Sequence, residues 1–193
     1  SAPREVRRAL QHSVEAANLA IYEAALSRPD WRGMATTLVV ALFGGARLTV
    51  GHVGDSRLYR LRQGQLALLT RDHSLLQEQI DAGLLSPDMA RVAQYKNLVT
   101  RAVGVEPLVA LELSEHVVQA GDTYLLCSDG LNDMLSDERI AAILVTAGTL
   151  EEKAAALVDA ANASGGRDNI SVILTYARAK PVRRGLFSRM LGK

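Results

Sequence analysis

Thr36-Thr37-Leu38-Val39-Val40-Ala41-Leu42-Phe43-Gly44-Gly45-Ala46-Arg47-Leu48-Thr49-Val50-Gly51-His52-Val53-Gly54-Asp55-Ser56-Arg57-Leu58-Tyr59-Arg60-Leu61-Arg62-Gln63-Gly64-Gln65-Leu66-Ala67-Leu68-Leu69 carries the clearest β pattern of the chain. Residues 36–43 are β-branched and apolar, Gly44-Gly45 is a turn, and residues 47–53 return as a second β run. Residues 57–62 and 65–69 flank Gln63-Gly64 in the same way. The pattern predicts four strands in an antiparallel meander.

Helical periods surround this block. Upstream, Val6, Leu10, Val14, Ala17, Ile21 and Ala24 recur at helical spacing, which predicts one amphipathic helix over residues 4–26. Ser27-Arg28-Pro29-Asp30 ends it, because proline disfavours a helical residue before it. Downstream, a helix is expected from Ser74 to about Ala82, ending at Gly83, and another opens at Ser86-Pro87-Asp88. A strand over residues 123–128 leads into Asp129-Gly130, read as a tight turn. Ser136 caps a helix to about Val145, and Thr149-x-x-Glu152 is a capping box for a helix to about Ala161. After the Gly165-Gly166 turn, residues 170–176 form a final strand. Residues 97–103 show no clear period. This is an α+β order, antiparallel sheet covered by helices, and not alternating βαβ.

The 193 residues suit one domain over residues 1–178, with a tail over 179–193. A net charge of +1 argues against nucleic-acid binding, which needs a large Lys/Arg excess on one face. The single Cys127 excludes an intrachain disulfide and a four-cysteine zinc site. No apolar run reaches membrane-spanning length, and a cytoplasmic protein without a transmembrane segment is expected, as is a monomer. The start, Ser1-Ala2-Pro3, is neither a signal peptide nor an initiator methionine, and suggests a piece of a longer chain. The tail carries Lys180, Arg183, Arg184, Arg189 and Lys193 without an acid. It reads either as a solvated linker or as a segment docking on a membrane surface or partner.

Three aspartates stand at strand ends beside glycine-permitted turns: Asp55 in Gly54-Asp55-Ser56-Arg57, Asp129 in Ser128-Asp129-Gly130, and Asp168 in Arg167-Asp168-Asn169. Carboxylates so placed can converge on one sheet edge, and oxygen-only clusters suit Mg²⁺ or Mn²⁺. Taken singly, each is as well explained as a turn or cap residue.

Six segments in order carry a resemblance: Gly33-Met34-Ala35-Thr36-Thr37, His52-Val53-Gly54-Asp55-Ser56-Arg57, Leu69-Thr70-Arg71-Asp72-His73-Ser74, Thr100-Arg101-Ala102-Val103-Gly104, Leu126-Cys127-Ser128-Asp129-Gly130-Leu131 and Gly165-Gly166-Arg167-Asp168-Asn169-Ile170-Ser171-Val172. Together the chain resembles the bacterial branch of the metal-dependent PP2C-type (PPM) serine/threonine phosphatases. The resemblance implies an α-β-β-α sandwich of two antiparallel sheets flanked by helices. It implies two core Mn²⁺ or Mg²⁺ ions, a third more loosely held, and hydrolysis of phosphoserine and phosphothreonine proteins by a metal-bridged hydroxide. A cognate Ser/Thr kinase is expected among those proteins. By the same resemblance, Asp129 and Asp168 match core-metal ligands, and Asp55 with Asp129 matches the third-metal site. Residues 76–99 match a mobile flap, although Ala93-Gln94-Tyr95-Lys96 departs from the family pattern.

The family's amino-terminal phosphate-binding arginine, its acidic ligand and its Asp-Gly-x-Gly-Gly turn have no counterpart in the sequence. The domain is therefore expected to begin before Ser1, and the isolated chain to have little activity. A pseudophosphatase that binds phosphoproteins or kinases without turnover is the alternative. No side-chain nucleophile is required: Ser128–Asp133 contains no arginine to pair with Cys127, which reads as a small apolar strand residue. His52 reads as structural and His73 as a helix contact. Arg57 and Arg101 read as partners of nearby carboxylates or of phosphate, and Trp31 as core.

Overall fold

The structure is a computed structural model, and it describes residues 2–86, 89 and 98–178. Helix α1 (Ala2–Ser27) is followed by a 3₁₀ turn (Pro29–Trp31) and strands β1 (Leu38–Gly44), β2 (Arg47–Val53), β3 (Arg57–Arg62) and β4 (Gln65–Leu68). Then come α2 (Leu75–Asp81), β5 (Glu112–Val117), β6 (Thr123–Cys127), α3 (Asp129–Asn132), α4 (Asp137–Leu144), α5 (Leu150–Ala163) and β7 (Val172–Tyr176). The helix expected to open at Ser86-Pro87-Asp88, Ala93-Gln94-Tyr95-Lys96 and the tail from residue 179 lie outside the described residues. No helix among the described residues is long and apolar enough to cross a membrane.

The strands form two antiparallel sheets, β1-β2-β5 and β4-β3-β6-β7. The expected four-strand meander is therefore corrected. β1 pairs with β2 and β3 with β4, but β2 and β3 belong to different sheets. The reason is that each is a central strand with both edges filled, β2 by β1 and β5, and β3 by β4 and β6. The chain changes layer at Gly54-Asp55-Ser56. β5 is unannounced in the sequence because its apolar residues are interrupted by Glu112, Ser114, Glu115 and His116.

Period-two alternation gives each inner strand two apolar faces. Leu48 and Val50 of β2 meet Leu58 of β3 and Tyr124 of β6 between the sheets. On the opposite face of the second sheet, Tyr59, Leu61, Leu125 and Cys127 pack under Leu131, Ile140, Ile143, Leu144 and Leu157 of α3, α4 and α5. Helix α1 covers the first sheet, with Leu10 reaching Gly51 of β2. Buried Asn18 of α1 accepts from the Gly104 N–H at 2.8 Å and donates to the Glu106 carbonyl at 2.9 Å. The result is the expected α-β-β-α sandwich.

The helix caps follow the sequence. Ser74 and Ser136 accept from the N–H groups of Gln77 and Arg139. The Thr149/Glu152 capping box is formed in both directions, at 3.2 and 2.8 Å. Trp31 is not core: it is half-exposed, with the Arg28 guanidinium 4.4 Å from its ring centre. Asp129-Gly130 opens the one-turn helix α3 instead of a tight turn, because Ser128 and Asp129 lead directly into helical hydrogen bonding.

One buried ion pair closes the end of the second sheet away from Asp55. Arg62 donates to both oxygens of Asp122 at 2.7 Å, and the Gln119 N–H and Tyr124 hydroxyl donate to the same carboxylate. Burial opposes the charge on Asp122, but these donors outweigh it and hold the carboxyl down at about 2. A depressed folded value means stabilisation that is present above the ordinary carboxylate value and lost as pH falls toward 2. Asp122→Asn is expected to cost about 2 kcal/mol at pH 7. Urea titrations at descending pH should show that cost shrinking below pH 4 and vanishing near pH 2.

Candidate functional site

The register of the second sheet gathers the three aspartates. Arg57 of β3 stands opposite Cys127 of β6, and Cys127 opposite Val172 of β7. Asp55 lies two residues before Arg57, Asp129 two after Cys127, and Asp168 four before Val172. All three loops therefore leave the same end of the sheet.

Backbone contacts draw two of the loops tight. Ser128 Oγ donates to the Asn169 carbonyl and accepts from the Ser171 N–H, each at 3.0 Å. The Ser128 N–H donates to the Ser171 carbonyl at 3.1 Å. Gly130 sits directly against Asn169: a Cβ there would collide with the Asn169 carbonyl oxygen and lie 3.0 Å from its carbon. Asp129 Oδ1 accepts from the Gly130 N–H at 2.8 Å, and Asp168 Oδ1 from the Asn169 N–H at 2.7 Å. Each carboxylate is thus oriented by its own loop.

Asp55 is buried at the turn between the sheets. Burial first, and then the negative charge of Asp129, push its carboxyl up to about 6, with Asp72 and Asp133 adding to the rise and a backbone hydrogen bond opposing it. Among the described residues no cation is ion-paired with Asp55, Asp129 or Asp168. A hard divalent cation is the species this oxygen-donor set fits, since it relieves the repulsion that holds Asp55 up. Asp133 is the acid that sequence reasoning missed. Its signal was the i,i+4 spacing from Asp129, which places both on one helical face.

Arg57, two residues from Asp55, is committed elsewhere. It grips Asp72 with two donors, Nε at 2.9 Å and Nη2 at 2.6 Å. Its Nη1 donates to the Tyr59 hydroxyl, which donates on to Asp137. The carboxylate-partner reading of Arg57 is the observed one. Cys127 is buried and its thiol is pushed up to about 12 by burial, so it is not a thiolate nucleophile near neutral pH.

His52, His73 and Glu112 bring ligand-type atoms within 4.8 Å of one another. They are a poor metal site in this arrangement. A metal lies near the plane of each imidazole that binds it, whereas these rings are stacked 4.6 Å apart and only 15° from parallel. The His52 Nε2 is also occupied, donating to the Arg71 carbonyl at 2.7 Å.

Residues 2–174 match the protein phosphatase 2C family. The chain belongs to that family. The serine/threonine phosphatase stp of Listeria innocua is 39% identical over 170 residues, covering 88% of this chain and 68% of that protein. The serine/threonine protein phosphatase PstP of Mycobacterium tuberculosis is 38% identical over 188 residues, covering 93% of this chain but only 36% of that protein. Among solved structures, the S. agalactiae serine/threonine phosphatase superposes with a TM-score of 0.86 at 39% identity, covering 91% of this chain and 72% of that one. The PstP catalytic domain in complex with two manganese ions gives 0.79 at 40% identity, covering 88% and 70%. The relatives of this PP2C chain are thus serine/threonine protein phosphatases, and one of them is known with manganese bound.

Because Gly130 is the contact between the Asp129 and Asp168 loops, Gly130→Ala must push the Asn169 peptide away. Overpacking of this kind costs about 1–3 kcal/mol. A matched pair of denaturant melts should show that loss, and amide exchange should rise at Asn169 and Ser171.

Proposed function

We propose that this chain forms the metal-binding part of a protein serine/threonine phosphatase that takes Mn²⁺ or Mg²⁺ and hydrolyses phosphoserine and phosphothreonine proteins, a cognate kinase among them. The observation that carries the reading is the acidic end of the second sheet, which all three aspartate loops leave, with the Asp129 and Asp168 loops in contact and Asp55 raised by burial and by Asp129. In this reading Asp129 and Asp168 hold the core ions, and Asp55 with Asp129 holds a third.

When bound, such ions make water acidic enough to supply a nucleophile near neutral pH and offset the charge of the phosphate dianion. The chain's own residues do the positioning. The Gly130 and Asn169 N–H groups orient one oxygen of Asp129 and Asp168 respectively. Arg57 neutralises Asp72, so its negative charge is partly withdrawn from the cluster. The family's amino-terminal arginine and acidic ligand match no residue of this sequence.

The test is hydrolysis of a phosphothreonine peptide across a Mn²⁺ series. It uses the 193-residue chain alone and the same chain preceded by a segment carrying the Asp-Gly-x-Gly-Gly turn. Turnover is expected in the extended form. Asp129→Asn or Asp168→Asn should each lower it by more than about 100-fold, beyond the 10–100-fold typical of an outer-shell partner. An extended form that binds the phosphopeptide without cleaving it at any Mn²⁺ concentration would replace the enzyme reading with that of a binding module.

A further inference from the structure

The turn that carries Asp55 is held by one residue from another loop. The His73 main-chain N–H donates to the Gly54 carbonyl at 2.9 Å, and the Gly54 N–H donates back to His73 Nδ1 at 3.1 Å. Both backbone groups of the residue preceding Asp55 are therefore bonded to a single partner. The second bond fixes the tautomer: Nδ1 supplies a lone pair, so the ring proton sits on Nε2, where Glu112 Oε2 accepts it at 3.2 Å. His52 stacks on the ring face and prevents it from rotating. Burial lowers the proton affinity of His73, which keeps Nδ1 available as an acceptor.

Gly54 needs such an anchor. It sits at φ +104°, one of several backbone regions open to glycine, with Thr37 directly against it. The contact also reaches the expected flap. The His73 carbonyl accepts from the Thr100 N–H at 2.8 Å, and Ser74 bridges to Val99, so residues 99 and 100 are held beside the same residue.

We infer that His73 is a positioning residue whose Nδ1, by holding the Gly54 N–H, sets the turn that presents Asp55 to a divalent cation. The inference rests on the metal reading above and adds to it a residue that touches neither substrate nor metal.

Two isosteric variants separate the two ring nitrogens. In His73→Asn an amide oxygen can take the place of Nδ1, whereas His73→Gln reaches the place of Nε2 and leaves the Gly54 N–H unpaired. Mn²⁺ affinity by calorimetry and hydrogen exchange at the Gly54 amide are measured on the full 193-residue chain. His73→Gln is expected to weaken Mn²⁺ binding about 10-fold, in the range of a lost outer-shell partner, and to speed Gly54 exchange at least as much. His73→Asn and Glu112→Gln should leave both near the wild-type values. The inference fails if His73→Asn weakens Mn²⁺ binding about 10-fold while the Gly54 amide stays protected, a result that can be read even where His73→Gln does not fold. It fails equally if Gly54 exchange rises in His73→Gln with Mn²⁺ affinity unchanged. If the wild-type chain binds no Mn²⁺ while Gly54 exchange still distinguishes Asn from Gln, the metal reading is what falls.

Discussion

The passage of the backbone through Gly54 is the constraint on which this architecture depends. At φ +104° and with a Cβ position only 2.7 Å from that of Thr37, no other residue fits there without moving β1. On one side of the turn β2 is already flanked by β1 and β5; on the other β3 is flanked by β4 and β6. The chain passes from one sheet to the other at that single crossing. The same crossing sets Asp55 in the buried gap between layers, at the end of the sheet where Asp129 and Asp168 emerge. Thr37 and Ser56, whose hydroxyls are 2.8 Å apart, stitch the strand before the hairpin to the residue after Asp55.

Two buried aspartates show how the fold distinguishes support from function. Asp122 is surrounded by donors, from Arg62, Gln119 and Tyr124, and its carboxyl is held near 2 despite its burial. Asp55 is buried among other acids and is held near 6. A protein selected only for stability would pair or replace the second as it paired the first. The cost is accepted at one end of the second sheet and avoided at the other. That asymmetry is what the proposed function explains: at the Asp55 end the compensating charge would come from a bound cation.

Much of this was legible in the sequence because it was written in local chemistry. The capping residues Ser74, Ser136 and Thr149 declared their helices, and the Gly44-Gly45 and Gln63-Gly64 turns declared the two hairpins that are observed. Long-range choices were not. A meander and a crossing share the same strands, and only the presence of β5 beside β2 decides between them. β5 itself is concealed by Glu112, Ser114 and Glu115, polar residues tolerated at the edge of a sheet. Trp31 has the composition of a core residue, but it follows a helix end and stacks on Arg28 instead. For the site, the strand-end position of the three aspartates was visible, but the effect of Asp129 on buried Asp55 was not. Asp133 was signalled only through its spacing from Asp129, and the hold of His73 on Gly54 spans a separation that no sequence spacing encodes.

The charge balance takes its meaning from these pairings. A formal net charge of +1 would suit an inert surface, yet the strongest cations are engaged inside the fold, Arg57 by Asp72 and Arg62 by Asp122. With those arginines withdrawn, near-neutrality overall is compatible with a strongly negative end of the second sheet. Such an end repels a phosphate dianion, so under the proposed function a bound cation would be what attracts the phosphate there. The repulsion is Coulombic, between buried Asp55 and the neighbouring Asp129, and in the proposed reading the same charges would govern both metal binding and the approach of the phosphate.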